Sequence, residues 1–154
     1  MNRLLWLAPV VLALHNLEEA LTMPRWGAKL PGWPSLTPVQ FDAALVAITL
    51  IPLLLAPLAV RYGKRSLPLY LLFGVQSIMT WNALTHIAAA LLLRRYVPGL
   101  VTAIFVMLPY THDLYGRGLH QGYITRRGAT IALVAGLLLY GPLLYLSLLF
   151  GRLF

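Results

Sequence analysis

The chain has 154 residues, 60% of them hydrophobic and only 10% charged, with no cysteine and a formal net charge of +8. Globular domains carry about 25% charged residues, so a chain this apolar points to a bilayer as its solvent. Lack of cysteine excludes a disulfide framework and a thiolate metal site, and the basic residues cluster between apolar runs (Arg61, Lys64 and Arg65; Arg94 and Arg95; Arg126 and Arg127), as membrane-flanking charges do and a nucleic-acid surface does not.

A membrane helix needs about 20 apolar residues. Five stretches qualify in chain order, at about 4–23, 38–60, 67–93, 98–119 and 129–150. The expected fold is all-α, a polytopic membrane helical bundle of about five transmembrane helices, with residues 1–154 as a single domain. The first stretch, "MNRLLWLAPVVLAL", begins like a signal peptide, but no small-residue cleavage site follows in "HNLEEALTMP", so a retained helix is predicted. In the connection "PRWGAKLPGWPSLTP", Pro24, Pro31, Pro34 and Pro38 are predicted to forbid a regular helix. Its Trp26 and Trp33 suit the interfacial aromatic belt. The second helix should start with Thr37 as N-cap, Pro38 at the first helical position and Gln40 closing a capping box. Pro52, Pro57 and Pro109 are expected to kink their helices, and "YVPGL" to turn the chain between the third and fourth.

Five spans put the termini on opposite sides of the membrane. Seven basic residues (Arg3, Arg61, Lys64, Arg65, Arg117, Arg126, Arg127) then face five (Arg25, Lys29, Arg94, Arg95, Arg152), which favours a cytoplasmic N-terminus. The expected location is a prokaryotic cytoplasmic membrane.

The four acidic residues are Glu18, Glu19, Asp42 and Asp113, and two of them stand side by side in the first span. A carboxylate at the centre of a membrane helix costs about 2.5–3.5 kcal/mol, so such residues are rare and usually functional. His15 lies one helical turn from both glutamates, so all three share a face; Asn82 and His86 share one on the third span. At 1.5 Å per residue, His15 falls roughly 13 Å below Pro24 and His86 roughly 12 Å below Arg94. The first and third spans run in the same direction, so the two polar faces meet at similar depth.

"HNLEE" followed by "NALTH" and "RRYVPGLVTA" resembles the HXXEE family of small membrane proteins, from His15 to about Tyr123. That family is a domain of unknown function. The resemblance singles out His15, Glu18, Glu19, Asn82 and His86 and implies no reaction.

The chemistry these residue types suit best is a divalent metal site, zinc or iron. His15, Glu19 and His86 would be ligands, Glu18 a free general base or a further ligand, and Asn82 a partner holding a ligand's tautomer or binding a substrate oxygen. If both glutamates and both histidines ligate, two metals fit. The bland alternative is a hydrogen-bonded polar plug between helices. His112 and Asp113 in the fourth span, and Asp42 in the first turn of the second helix, are further candidates to line the same cavity; an ion pair of Asp113 with Arg117 and a helix-dipole role for Asp42 are the structural readings. Tyr110, Tyr115 and Tyr123 are expected as interfacial anchors, and His120 as a headgroup contact.

The function these features suggest is a metal-dependent membrane enzyme acting on a lipid-soluble substrate, by hydrolysis or hydration first and iron-dependent oxidation second. The partners are membrane lipids, a lipophilic small molecule and, in a homo-oligomer, further copies of the chain. The other classes are a metal-free acid–base isomerase, a metal or proton carrier, and a structural membrane subunit.

Overall fold

The computed structural model describes residues 1–27, 29 and 36–154. Among them the chain forms five helices and no strand. They are α1 (Asn2–Gly27), α2 (Pro38–Tyr62), α3 (Leu67–Leu93), α4 and α5 (Arg126–Gly151). Helix α4 is continuous but uneven, running through Leu100–Thr102, a π-helical turn at Ala103–Met107, and Leu108–His120. The polytopic helical bundle expected from the hydropathy pattern is present.

Three helices, α1, α2 and α5, are long and apolar enough to cross a membrane by length and composition. Helix α3 has the length, but Gln76, Ser77, Thr80, Asn82, Thr85 and His86 interrupt its apolar run. Those groups point mostly inward: Gln76, Ser77 and His86 are buried. The outer surface is apolar instead, with Leu54, Leu92, Phe105 and Leu138 among its well-exposed side chains. Contiguous apolar exposure on this scale is what acyl chains, not water, would cover.

The expected break at Pro24 does not occur, because α1 runs through it to Gly27. Proline removes one backbone donor, a loss that membrane helices tolerate when neighbouring groups compensate. Trp26 lies under the Arg95 guanidinium, 5.7 Å from its ring centroid. Pro31, Trp33 and Pro34 lie outside the described residues. The start of α2 forms as expected: Thr37 Oγ1 accepts from the Gln40 N–H at 3.2 Å, and Gln40 Oε1 accepts from the Thr37 N–H at 3.1 Å.

The departure expected at Pro109 falls one turn earlier. Pro109 has no N–H to bond the Phe105 carbonyl. The helix widens ahead of it, and the Leu108 N–H reaches back to the Ala103 carbonyl in a π turn.

The main core joins Leu5 and Leu12 of α1, Leu69, Leu72 and Phe73 of α3, and Met107 and Leu114 of α4. Helix α5 lies on α3 through small residues, with Ala129, Ala132 and Gly136 buried. Small residues let helix backbones approach closely in a bilayer, where dispersion contacts replace the hydrophobic effect as the force between helices.

Two of the tyrosines expected at the interface are cross-braces instead. The Tyr110 hydroxyl donates to the Leu4 carbonyl at 2.9 Å. The Tyr115 hydroxyl donates to the Phe73 carbonyl at 3.0 Å and contacts the Ser77 hydroxyl. A phenol carried into an apolar interior must find an acceptor, and helix carbonyls are the ones available. Tyr123 stays half-buried, with the Lys64 ammonium 5.2 Å from its ring centroid.

Candidate metal centre

Helices α1 and α3 carry the three central side chains. His15 and Glu19, one turn apart on α1, project from the same flank, and His86 comes from α3 to meet them. The Nε2 atoms of His86 and His15 lie 3.0 Å and 3.8 Å from Glu19 Oε1. The imidazole centroids are 5.1 Å apart, with the ring planes at 71°. All three residues are buried, and among the described residues they form a group whose ligand atoms lie within 4.8 Å of one another.

These donors fit a divalent metal. With bonds of about 2.0–2.2 Å to nitrogen and oxygen, tetrahedral ligands stand about 3.3 Å apart. The Glu19–His86 distance is already in that range, and the Glu19–His15 distance needs only a small closure. His86 Nε2 supplies a second observation. It is near Glu19 Oε1 yet not aligned with it for a hydrogen bond, so it is a buried ring nitrogen with no hydrogen-bond partner. Such an orphan costs energy in a purely structural plug.

His15 is held at both ring nitrogens. Nδ1 lies 2.8 Å from Thr102 Oγ1, and Nε2 lies 2.9 Å from Asn82 Nδ2. Asn82 is oriented in turn from α5, because the Tyr140 hydroxyl donates to Asn82 Oδ1 at 3.0 Å. Thr85 completes this edge, 3.0 Å from the Tyr140 hydroxyl. With its oxygen engaged by Tyr140, the Asn82 amide presents an N–H to His15 Nε2.

Glu18 does not supply the free carboxylate expected of it. It turns to the start of α4, where Oε1 accepts from the Tyr96 hydroxyl (2.7 Å) and the Val101 N–H (3.2 Å). Its Oε2 accepts from the Thr102 N–H (2.8 Å) and the Thr102 hydroxyl (2.6 Å). The first backbone N–H groups of a helix have no intrahelical acceptor, so a carboxylate there is bound by geometry and by the dipole.

Tyr96 lies in the turn before α4, and burial, then its hydrogen bond to Glu18, pushes its phenol above the usual tyrosine value. A raised pKa means that the folded protein favours the protonated phenol. The stabilisation is therefore complete below about pH 10 and is lost as pH rises through the elevated value. Thermal unfolding in detergent should show a smaller alkaline loss in Tyr96→Phe than in the wild type. An identical alkaline profile in the two proteins would refute it.

Gly99 sits against both imidazoles. A Cβ there would lie 2.8 Å from His15 Cε1 and 3.1 Å from His86 Nε2, and its φ of +82° is one that side chains rarely adopt.

The other candidates stay outside. His112 is exposed on α4, on the side turned away from the bundle. Asp113 pairs with Arg117 at 2.6 Å, the ion pair that their spacing suggested. Asp42 is exposed and lies beyond the first turn of α2, lining a groove with Asn16 and Thr49 on the far flank of α1. Asn16 is engaged there with the Leu45 carbonyl and the Thr49 hydroxyl. One residue of drift around a helix separates His15 from Asn16, and so the site from this groove.

Four contributors carry no signal in a single sequence: Tyr96, Gly99, Thr102 and Tyr140. A tyrosine in an apolar helix and a threonine in a Leu/Val run are ordinary membrane composition. "VPGLVT" could have been marked only as a glycine turn leading into a helix.

Comparison with known proteins agrees with the motif. The family described as proteins of unknown function with an HXXEE motif matches residues 6–112. The uncharacterized protein YrkK of Bacillus subtilis (strain 168) is 26% identical over 139 residues, covering 87% of this chain and 88% of its own. No solved structure matches.

Proposed function

Because the chain belongs to the family of proteins of unknown function with an HXXEE motif, we propose a function from its own residues: a metal-dependent membrane enzyme acting on a lipid-soluble substrate. The observation that carries this reading is the convergence of His15 Nε2, Glu19 Oε1 and His86 Nε2 in a buried cluster, with His86 Nε2 lacking any aligned partner. Two imidazoles and one carboxylate are a donor set for zinc or ferrous iron, leaving a position open for an exogenous ligand. A bound ion would supply Lewis acidity toward a substrate or water oxygen.

The chain's own residues do the rest. His15, Glu19 and His86 hold the ion. Asn82, steered by Tyr140, turns its amide N–H to His15 Nε2; a bound ion would take that lone pair and free the N–H for a substrate oxygen. The surrounding helices shield the cluster from bulk water, and their apolar outer faces suit a lipophilic molecule. Hydrolysis or hydration is the preferred reaction class, since it needs no electron donor; iron-dependent oxidation would require a separate reductase. The seven-against-five distribution of basic residues supports a cytoplasmic N-terminus in a prokaryotic inner membrane.

The test is metal content. Protein purified without a histidine tag and measured by mass spectrometry should carry stoichiometric zinc or iron, and His15→Ala and His86→Ala should each lose it. Metal-free wild type after growth with ample metal would sink the proposal. A second reading, metal-free acid–base chemistry, draws on the 3.0 Å approach of Glu19 to His86. It is favoured if turnover survives exhaustive chelation.

A further inference from the structure

We infer that Thr102 is a positioning residue for the metal ligand His15, and that Glu18 acts through it rather than as a base. The inference rests on the reading of the cluster as a metal centre and assigns a role to a residue outside the motif.

The argument is a count of protons. The Thr102 hydroxyl has one hydrogen and lies 2.6 Å from Glu18 Oε2. A carboxylate only accepts, so the hydroxyl hydrogen points at Glu18. Thr102 Oγ1 also lies 2.8 Å from His15 Nδ1. With its hydrogen committed, the hydroxyl can only accept there, so Nδ1 carries the proton. His15 Nε2 is then the nitrogen that carries the lone pair; here that lone pair accepts from the Asn82 amide at 2.9 Å, a bond that a metal ion would replace. The same Nε2 faces Glu19. The two neighbours therefore select one tautomer, with the ligating nitrogen aimed into the cluster.

The relay is anchored so that it cannot swing. Both Glu18 oxygens are fixed by backbone N–H groups, Oε1 by Val101 and Oε2 by Thr102, and Tyr96 closes the outer side. Glu18 ties α1 to the start of α4, and the hydroxyl on that start grips the His15 ring. Metal-bound histidines usually donate their other N–H to a carboxylate, a carbonyl or water, which sets the tautomer and raises ligand basicity. Here a threonine hydroxyl stands between imidazole and carboxylate and passes the polarisation on. The adjacent glutamates thus divide the work: Glu19 points into the cluster, and Glu18 braces the histidine from behind.

The experiment compares wild type, Thr102→Ser and Thr102→Val as full-length proteins in detergent. Zinc affinity is read by competition with a chelating dye, and the His15 tautomer by nitrogen NMR of labelled histidine. Thr102→Val should bind zinc about 10–100-fold more weakly and show a mixed or inverted tautomer. Thr102→Ser, which keeps the hydroxyl, should restore both. Wild-type affinity and tautomer in Thr102→Val would overturn the inference. If Thr102→Val does not fold, Glu18→Gln decides: weakened zinc binding is expected, and unchanged binding overturns it. Failure of the wild type to bind zinc or iron would overturn the metal reading, while the tautomer measurement would still decide the relay.

Discussion

On the metal reading, Gly99→Ala is expected to abolish metal binding and to destabilise the fold by about 2–6 kcal/mol, the sum of positive-φ strain and overpacking. Both terms come from one position. The φ of +82° suits glycine and disfavours every side chain. The added methyl would also press on His15 Cε1 at 2.8 Å and on His86 Cε1 and Nε2 at 3.1 Å. The rings cannot retreat freely, because His15 is held by Thr102 and Asn82 on its two nitrogens. The methyl therefore displaces the ligands or the turn itself, which carries the start of α4. Gly122→Ala is the control: its φ is +68° but nothing lies within 4 Å of the added Cβ, so it reports positive-φ strain without contact. Metal content and thermal unfolding in detergent separate the two effects. Full metal content in Gly99→Ala, with stability no lower than in Gly122→Ala, would show that the glycine does not shape the site.

Gly136→Ala should cost stability with little effect on metal content. A Cβ at Gly136 would stand 2.5 Å from Ser77 Cβ, 2.8 Å from the Ser77 carbonyl carbon and 2.9 Å from the Ile78 nitrogen. Two of these atoms belong to the α3 backbone, which a rotamer change cannot move, so the two helices must separate. Overpacking of this kind costs about 1–3 kcal/mol. It also strains the bonds across the seam, from Trp81 Nε1 to the Leu133 carbonyl and from the Tyr140 hydroxyl to Asn82, each 3.0 Å. The three candidate ligands lie on α1 and α3, so metal binding should persist while Asn82 loses its orientation. Gly141→Ala, on the same helix with open space around its Cβ, should be nearly silent. Equal unfolding temperatures for the Gly136 and Gly141 variants would contradict the packing argument.

Much of the site was legible because membrane helices obey strict geometry. Depth follows from residue count, and the faces from helical spacing, so His15 and His86 could be matched across two helices before any contact was seen. The cost of a buried carboxylate marked Glu18 and Glu19 as residues needing partners. Reading failed where the partner was an ordinary residue or a backbone group. The donors to Glu18 include two peptide N–H groups, which no side chain advertises. Tyrosine is common at the membrane interface, so sequence alone places Tyr110 and Tyr115 there; which helix face they occupy depends on the π turn in α4, which shifts the register of everything after it.

The amino-acid sequence by itself determined the solvent, the helix number and approximate ends, and the pairing of the HXXEE turn with Asn82 and His86, since hydropathy and helical period are properties of local sequence. Tertiary structure alone decided the division between the two glutamates. On α1 they are neighbours about 100° apart around the helix, and either could have faced the histidines. The approach of His86 from α3, together with the backbone donors that the Gly99 turn exposes at the start of α4, sends Glu19 inward to His86 and Glu18 sideways to Thr102.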